Sequence, residues 1–254
     1  MTGASGFAGG WLARACAEAG DEVLGLSRRG IRPAPETRGL AVDLRDAAAV
    51  AGAVADARPE VIYHLAALSS VGRSWEEPAQ TLADNTSGAV KLLEAIRHEA
   101  PDSRVVWVST CEVYGVPESL PISESAAMHP ANPYAVSKAT GEMLACVYGQ
   151  AHGLDLVVAR PFSHSGPGQR PIFLLSSLAR QAAEGRLAGV RRLQIVTGNP
   201  NTRRDFTDVR DVVNAYRRLV PSTAQDVYNV SSGHSVSAAD QIALLAELIA
   251  PIEI

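Results

Sequence analysis

Between residues 20 and 160, short runs of β-branched and other apolar residues alternate with longer stretches rich in Ala, Leu and Glu. The runs at 22–27, 39–42, 61–65, 105–109 and 156–160 are nearly continuous in apolar character, which predicts strands covered on both faces. The stretches at 6–19, 46–57, 75–99 and 133–152 predict helices between them, with Gly20 and Gly153 placed as C-terminal stops and Pro101 following the longest. Alternation of this kind is the pattern of βαβ units, so the expected fold is α/β with a doubly wound parallel sheet. After residue 160 the rhythm changes. A Gly/Pro-rich loop at 163–171 is followed by a predicted helix at 172–184, a strand at 193–196, a polar turn at 198–201, a helix at 209–219, a strand at 227–230 and a helix at 238–249. The predicted division is one domain over 1–160, joined by the late strand near 227–230, and a smaller, discontinuous part over 161–254.

Composition narrows the class without changing this picture. The 254 residues are 46% hydrophobic and 20% charged, as in a globular protein, and the net charge of −4 argues against nucleic acid as partner. No apolar run is long enough for a membrane span, and the opening Met1-Thr2-Gly3-Ala4-Ser5-Gly6 lacks the pattern of a signal peptide. Cys16, Cys111 and Cys146 form no CxxC pair, which suits a reducing compartment, so the expected location is cytoplasmic. The six histidines show no metal-ligand spacing, and no metal is expected. His64, at a strand end, reads as a packed residue rather than a base.

Candidate chemistry begins at Gly3-Ala4-Ser5-Gly6-Phe7-Ala8-Gly9, three glycines three apart ahead of a predicted helix. Glycines so placed allow a tight turn, close approach to a pyrophosphate and packing of the helix on the sheet. The next strand ends in Ser27-Arg28-Arg29, where an acid would select the ribose hydroxyl of NAD and arginine accommodates the 2′-phosphate of NADP. Tyr134 and Lys138 have the YxxxK spacing that puts phenol and ammonium on one helical face, where the ammonium is expected to lower the phenol pKa. Chance placement is a weak account, because the chain has two lysines, Lys91 and Lys138, against 21 arginines. Upstream, Ser109-Thr110-Cys111-Glu112 follows a predicted strand. A hydroxyl there can hydrogen-bond a reacting oxygen, and Glu112 is a candidate general base.

Taken together, the glycine turn, the hydroxyl and the YxxxK pair resemble the extended short-chain dehydrogenase/reductase family, the NAD-dependent epimerases and dehydratases of nucleotide sugars. His64-Leu65-Ala66-Ala67, Asp43-Leu44 and Asn132-Pro133-Tyr134 are similar to family motifs at matching places along the chain. Within the family, Ser69-Ser70-Val71-Gly72-Arg73-Ser74-Trp75, Arg160-Pro161-Phe162, Gly166-Pro167-Gly168-Gln169 and the segment 204–211 are most similar to GDP-4-keto-6-deoxy-mannose reductases, with GDP-mannose 4,6-dehydratases next to them. The resemblance implies a Rossmann-type domain and a cofactor, NADP with NAD as alternative. The implied cofactor site is Gly3, Gly6, Phe7, Gly9, Ser27, Arg28, Asp43, Leu44, Leu65, Ala66, Ala67, Ser109, Tyr134, Lys138, Arg160 and Pro161. The implied catalytic set is Thr110, Glu112, Tyr134 and Lys138. Ser69, Ser70, Ser163, Gln169 and Arg204 would meet a GDP-sugar, Arg204 at the diphosphate.

The implied reaction is reduction of a C4 ketone, with dehydration through Glu112 or 4-epimerisation as alternatives and a homodimer through 75–99 and 133–152 as the implied assembly. Two positions depart from the family pattern: Ser163 stands where Asn is usual, and Cys111 where some dehydratases carry an acid. Only Met1 and Thr2 precede Gly3, so a first strand and the C-terminal end are expected to lie outside these residues, and a nucleotide-binding fragment without turnover is the reading from another class.

Overall fold

The computed structural model describes residues 1–221 and 226–253. In chain order its elements are α1 (Phe7–Glu18), β1 (Leu24–Ser27), β2 (Arg38–Ala41), α2 (Ala47–Ala57), β3 (Val61–His64), α3 (Val71–Glu76), α4 (Pro78–Glu99), β4 (Arg104–Val108) and a 3-10 turn (Cys111–Tyr114). There follow α5 (Pro133–His152), β5 (Leu156–Pro161), β6 (Ser163–Ser165), α6 (Leu174–Leu187), β7 (Arg203–Asp208), α7 (Val209–Arg218), β8 (Val227–Val230), β9 (Ser235–Ser237) and α8 (Ala238–Leu248). The chain divides into two compact units, one of Met1–Pro161 with Arg210–Val230 and one of Phe162–Val209 with Ser231–Ile254.

The first unit is built on parallel strands. β1 pairs with β2, and β3, β4, β5 and β8 follow one another, with Val61 opposite Arg104, Val105 opposite Leu156 and Val158 opposite Val227. Met1 and Thr2 lie between β1 and β3. The Leu26 amide donates to Met1 O at 2.8 Å, the Thr2 amide to Tyr63 O at 2.9 Å and the Leu65 amide to Thr2 O at 3.2 Å, so this short segment bridges the two halves of the sheet. Every residue of β4 and β5 is buried, the apolar ones as strands covered on both faces require, and Arg104 and Arg160 with them. α2, α4 and α5 pack side by side, and Val50, Val54, Leu92, Leu93 and Ile96 join Val105, Trp107 and Val158 in the core. In the second unit β6 pairs parallel with β7, which pairs antiparallel with β9.

Three expectations need correction. β2, expected to be covered on both faces, is exposed at all four residues, because it pairs with β1 alone at the edge of the sheet. The helix expected over 75–99 is two helices, α3 and α4, because Pro78 lacks an amide proton and disfavours helical backbone at Glu77, which sits at φ −129°, ψ 60°. The strand expected at 193–196 is irregular: only a single bridge forms beside it, with the Leu193 amide on Glu253 O at 2.7 Å, while the Gln181 amide side chain binds both the Val196 amide at 2.8 Å and its carbonyl at 3.0 Å in place of a ladder.

His64 ends β3 in full burial. Its Nδ1 lies 2.8 Å from Thr2 Oγ1, and its ring stacks on Trp107 with centroids 4.2 Å apart. Burial, and secondarily the charge of Lys138, pushes its pKa from 6.5 down to about 3. In the unfolded chain the imidazole protonates near its ordinary value, so the stability held by this group is whole above about pH 6.5 and drains away as pH falls, by roughly 3 kcal/mol at pH 4. Urea midpoints between about pH 7 and 4 are expected to fall less steeply for His64→Gln than for the native sequence; equal slopes would assign the acid sensitivity elsewhere.

Candidate active site

The glycine turn is set by backbone geometry. Gly3 has φ +69°, and a Cβ there would lie 2.7 Å from the Ala66 amide nitrogen; a Cβ on Gly9 would lie 2.2 Å from Gly3 O. The turn therefore presses against the segment after β3, with Gly3 beside Leu65 and Ala66 and Gly9 packed on the backbone of Gly3 and Ala4. Gly6 stands at the N-cap of α1 and no side chain caps the helix, an arrangement that suits an anion at its positive end. At the end of β1 the Ser27 hydroxyl accepts from the Ile31 amide at 3.3 Å, and Arg28 and Arg29 are exposed. The Asp43 carboxylate is gripped by Arg45, with Nη2 at 2.7 Å and Nε at 3.1 Å, and these hydrogen bonds hold its pKa down at about 2.

Tyr134, Lys138 and Thr110 meet at the carboxyl end of β4. Local sequence starts α5 at this place: the Asn132 side chain accepts from the Ala135 amide at 2.8 Å and Pro133 occupies the first turn. Tyr134 is buried and hydrogen-bonded to Thr110. Burial is the largest influence on it and pushes the phenol pKa upward, with the nearby Cys111 and Glu112 adding to the rise and Thr110 opposing it. The expected lowering by Lys138 is thus not what this geometry produces. Lys138 Nζ instead donates to Val108 O at 2.5 Å, and burial brings its own pKa down to about 8 against the opposing pull of Glu142.

Glu112 is held from behind. Asn132 Nδ2 donates to Glu112 Oε2 at 3.1 Å, so the residue that starts α5 also orients the candidate base. Cys111 packs with Val113, Tyr114 and Ala139. Ser109 Oγ is buried at the end of β4 and has no hydrogen-bond partner among the described residues. The sequence motifs did not single out Asn132, Glu142, Tyr114 or Asn229 as site residues. For Glu142 a signal existed, since it continues the Tyr134, Lys138 spacing by one more helical turn on a buried face.

The chain matches the model of the NAD dependent epimerase/dehydratase family over residues 1–231. It belongs to that family. Among family members, a GDP-6-deoxy-D-mannose reductase of Pseudomonas aeruginosa is 39% identical over 199 residues, covering 77% of this chain and 65% of the relative. UDP-glucuronate 4-epimerase 1 of Arabidopsis thaliana is 32% identical over 227 residues, 84% of this chain and 52% of the relative. The chain thus spans between about half and two thirds of the length of these curated relatives. Among solved structures, RMD from Pseudomonas aeruginosa complexed with NADPH is 35% identical with a TM-score of 0.83, covering 97% of this chain and 80% of that one.

For an epimerase/dehydratase family member the first unit's residues fit a nicotinamide dinucleotide: the glycine cradle would be filled by any Cβ, and the lone Ser109 hydroxyl awaits a partner. Arg160 is placed differently from its motif reading. Its guanidinium is spent on Glu142, on Tyr114 Oη at 2.7 Å and on Glu124 O at 3.0 Å, which leaves the backbone of Arg160 and Pro161 for any cofactor contact. Ser70 Oγ accepts from the Arg73 amide at 3.3 Å as the N-cap of α3, while Ser69 is exposed before it. In the second unit Ser163 lies on β6; Gln169 accepts from Ser165 Oγ at 2.8 Å and donates to His164 O at 2.9 Å; Arg204 is exposed on β7 with Nη1 3.0 Å from Arg203 O.

Proposed function

We propose that this chain reduces the C4 ketone of a GDP-4-keto-6-deoxy-hexose with NADPH. The observation that carries the reading is the buried Tyr134 phenol, hydrogen-bonded to Thr110 and kept protonated by its surroundings, which equips it to give a proton to an alkoxide. The similarity to the Pseudomonas reductase supports it. NADPH, when bound, supplies the hydride. Gly3, Gly6, Phe7 and Gly9 take the pyrophosphate; Ser27 and Arg28 take the 2′-phosphate; Asp43 and Leu44 take the adenine side; Leu65, Ala66, Ala67, Ser109, Arg160 and Pro161 line the remainder. Lys138 holds the ribose hydroxyls, Thr110 orients the reacting oxygen, and Ser69, Ser70, Ser163, Gln169 and Arg204 are assigned to the GDP-sugar. We assign the chain to the cytoplasm, a reducing compartment that suits three cysteines without a CxxC pair.

A 4,6-dehydratase is the second reading, favoured by the Asn132 grip on Glu112, which holds a base ready. Cofactor stoichiometry separates the two. Purified protein given GDP-4-keto-6-deoxy-mannose should consume NADPH in proportion to ketone lost. Formation of the ketone from GDP-mannose with no net cofactor change overturns the reductase reading in favour of dehydration, interconversion of 4-epimers favours an epimerase, and binding of NADPH without oxidation favours a non-catalytic chain. We further assign the exposed Val136, Met143 and Val147 of α5 to contact with a second copy, so light scattering should give twice the chain mass; a monomer rejects the dimer.

A further inference from the structure

Lys138 and Glu142 lie one turn apart on the buried side of α5, at 7% and 1% exposure. Arg160 meets the Glu142 carboxylate with Nε at 3.1 and 3.3 Å and Nη2 at 2.5 Å, and its Cζ lies 4.8 Å from the centre of the Tyr114 ring. Tyr114 Oη donates to Asn229 Oδ1 at 2.8 Å, and Asn229 Nδ2 donates to Ile122 O at 2.9 Å. The 3-10 turn, the loop after it, α5, β5 and β8 are thereby tied around one buried carboxylate. Three charges of alternating sign, Lys138, Glu142 and Arg160, stand in sequence behind the catalytic tyrosine.

Stability alone is a poor reason for such an arrangement, because a buried ion pair is often no better than apolar side chains of the same volume. A lysine withdrawn from water, in contrast, needs a buried anion nearby to stay charged. The groups around Lys138 are few. His64 on β3 is neutral, α4 presents the uncharged Asn85 to Ser137 at 2.8 Å, the exposed Arg73 of α3 is paired with Glu77 just after that helix, Glu112 of the 3-10 turn is bound to Asn132, and Arg160 on β5 is a cation. Glu142 is the acid whose charge acts on the lysine.

We propose that Glu142 is a positioning residue for Lys138: fixed by Arg160, its carboxylate stands one helical turn behind the lysine and keeps that side chain cationic, while the bond to Val108 O holds the ammonium at the end of β4. This rests on the reading of Lys138 as the cation that holds the cofactor ribose. Arg160 acts as the clamp that makes a bare carboxylate tolerable there, and Lys138 spends its charge at the site.

The chain's having only Lys91 and Lys138 makes the test direct. Protein labelled with ¹³Cε-lysine gives two signals, assigned by Lys91→Arg, and Lys138 should titrate with a midpoint near 8 in the native sequence. Glu142→Gln keeps the shape and removes the charge; its Lys138 midpoint is expected about one pH unit lower, with Glu142→Asp in between. A folded Glu142→Gln protein with the native midpoint overturns the proposal. Should the single variant fail to fold, Glu142→Leu combined with Arg160→Met leaves no unmatched buried charge, and its midpoint must also fall below the native one for the proposal to stand. No substrate or turnover enters this measurement, so its outcome is independent of whether NADPH is oxidised by a keto-sugar.

Discussion

Tyr134→Phe should lower kcat by about 10²- to 10⁴-fold, the usual contribution of a positioned proton donor, while NADPH still binds by fluorescence. In barrier height that is roughly 3–5 kcal/mol. The change removes one oxygen from a buried ring and leaves the ring's packing alone. Thr110 loses its partner, but the α5 start at Asn132 and the Lys138 bond to Val108 do not depend on the phenol. A proton donor that the fold keeps protonated cannot be replaced by bulk water in a buried place, which is why the effect should fall on kcat. If Tyr134→Phe retains more than about a tenth of native turnover, another group supplies the proton and the assignment of Tyr134 is wrong.

Arg160→Met should destabilise the first unit by about 3–5 kcal/mol, because it strands the Glu142 carboxylate in the interior. Against a total stability of roughly 5–15 kcal/mol the loss is large enough to move a urea midpoint far or to abolish folding. The partner comparison gives the physical reason. Arg160→Met with Glu142→Leu replaces both charges by apolar groups and should recover most of the stability, since neither desolvation nor an orphaned charge remains. A single variant no less stable than the double would mean that solvent reaches Glu142.

The sequence patterns read both ends of α5 because its signals are local: an Asn cap, Pro in the first turn and Gly153 in the left-handed conformation at φ +70°. The five parallel strands at 22–27 through 156–160 were legible for a similar reason, nearly continuous apolar runs between turns. β6, β7 and β9 were not, since Ser163–Ser165 and Arg203–Asp208 have little apolar alternation and are defined by pairing with distant segments. At the site, spacing marked Tyr134 and Lys138, and a place after a strand marked Thr110. It could not show that burial outweighs the lysine at Tyr134, or that Arg160 faces Glu142, because both depend on what surrounds the helix and not on its own sequence.

The two ends of the Asn132 amide have separate duties, its oxygen on the α5 backbone and its nitrogen on Glu112. The rotational phase of the helix that aims Tyr134 and the heading of the acid opposite are therefore set by a single planar group. One rigid amide removes two degrees of freedom, so neither can be retuned by substitution at 132 without disturbing the other.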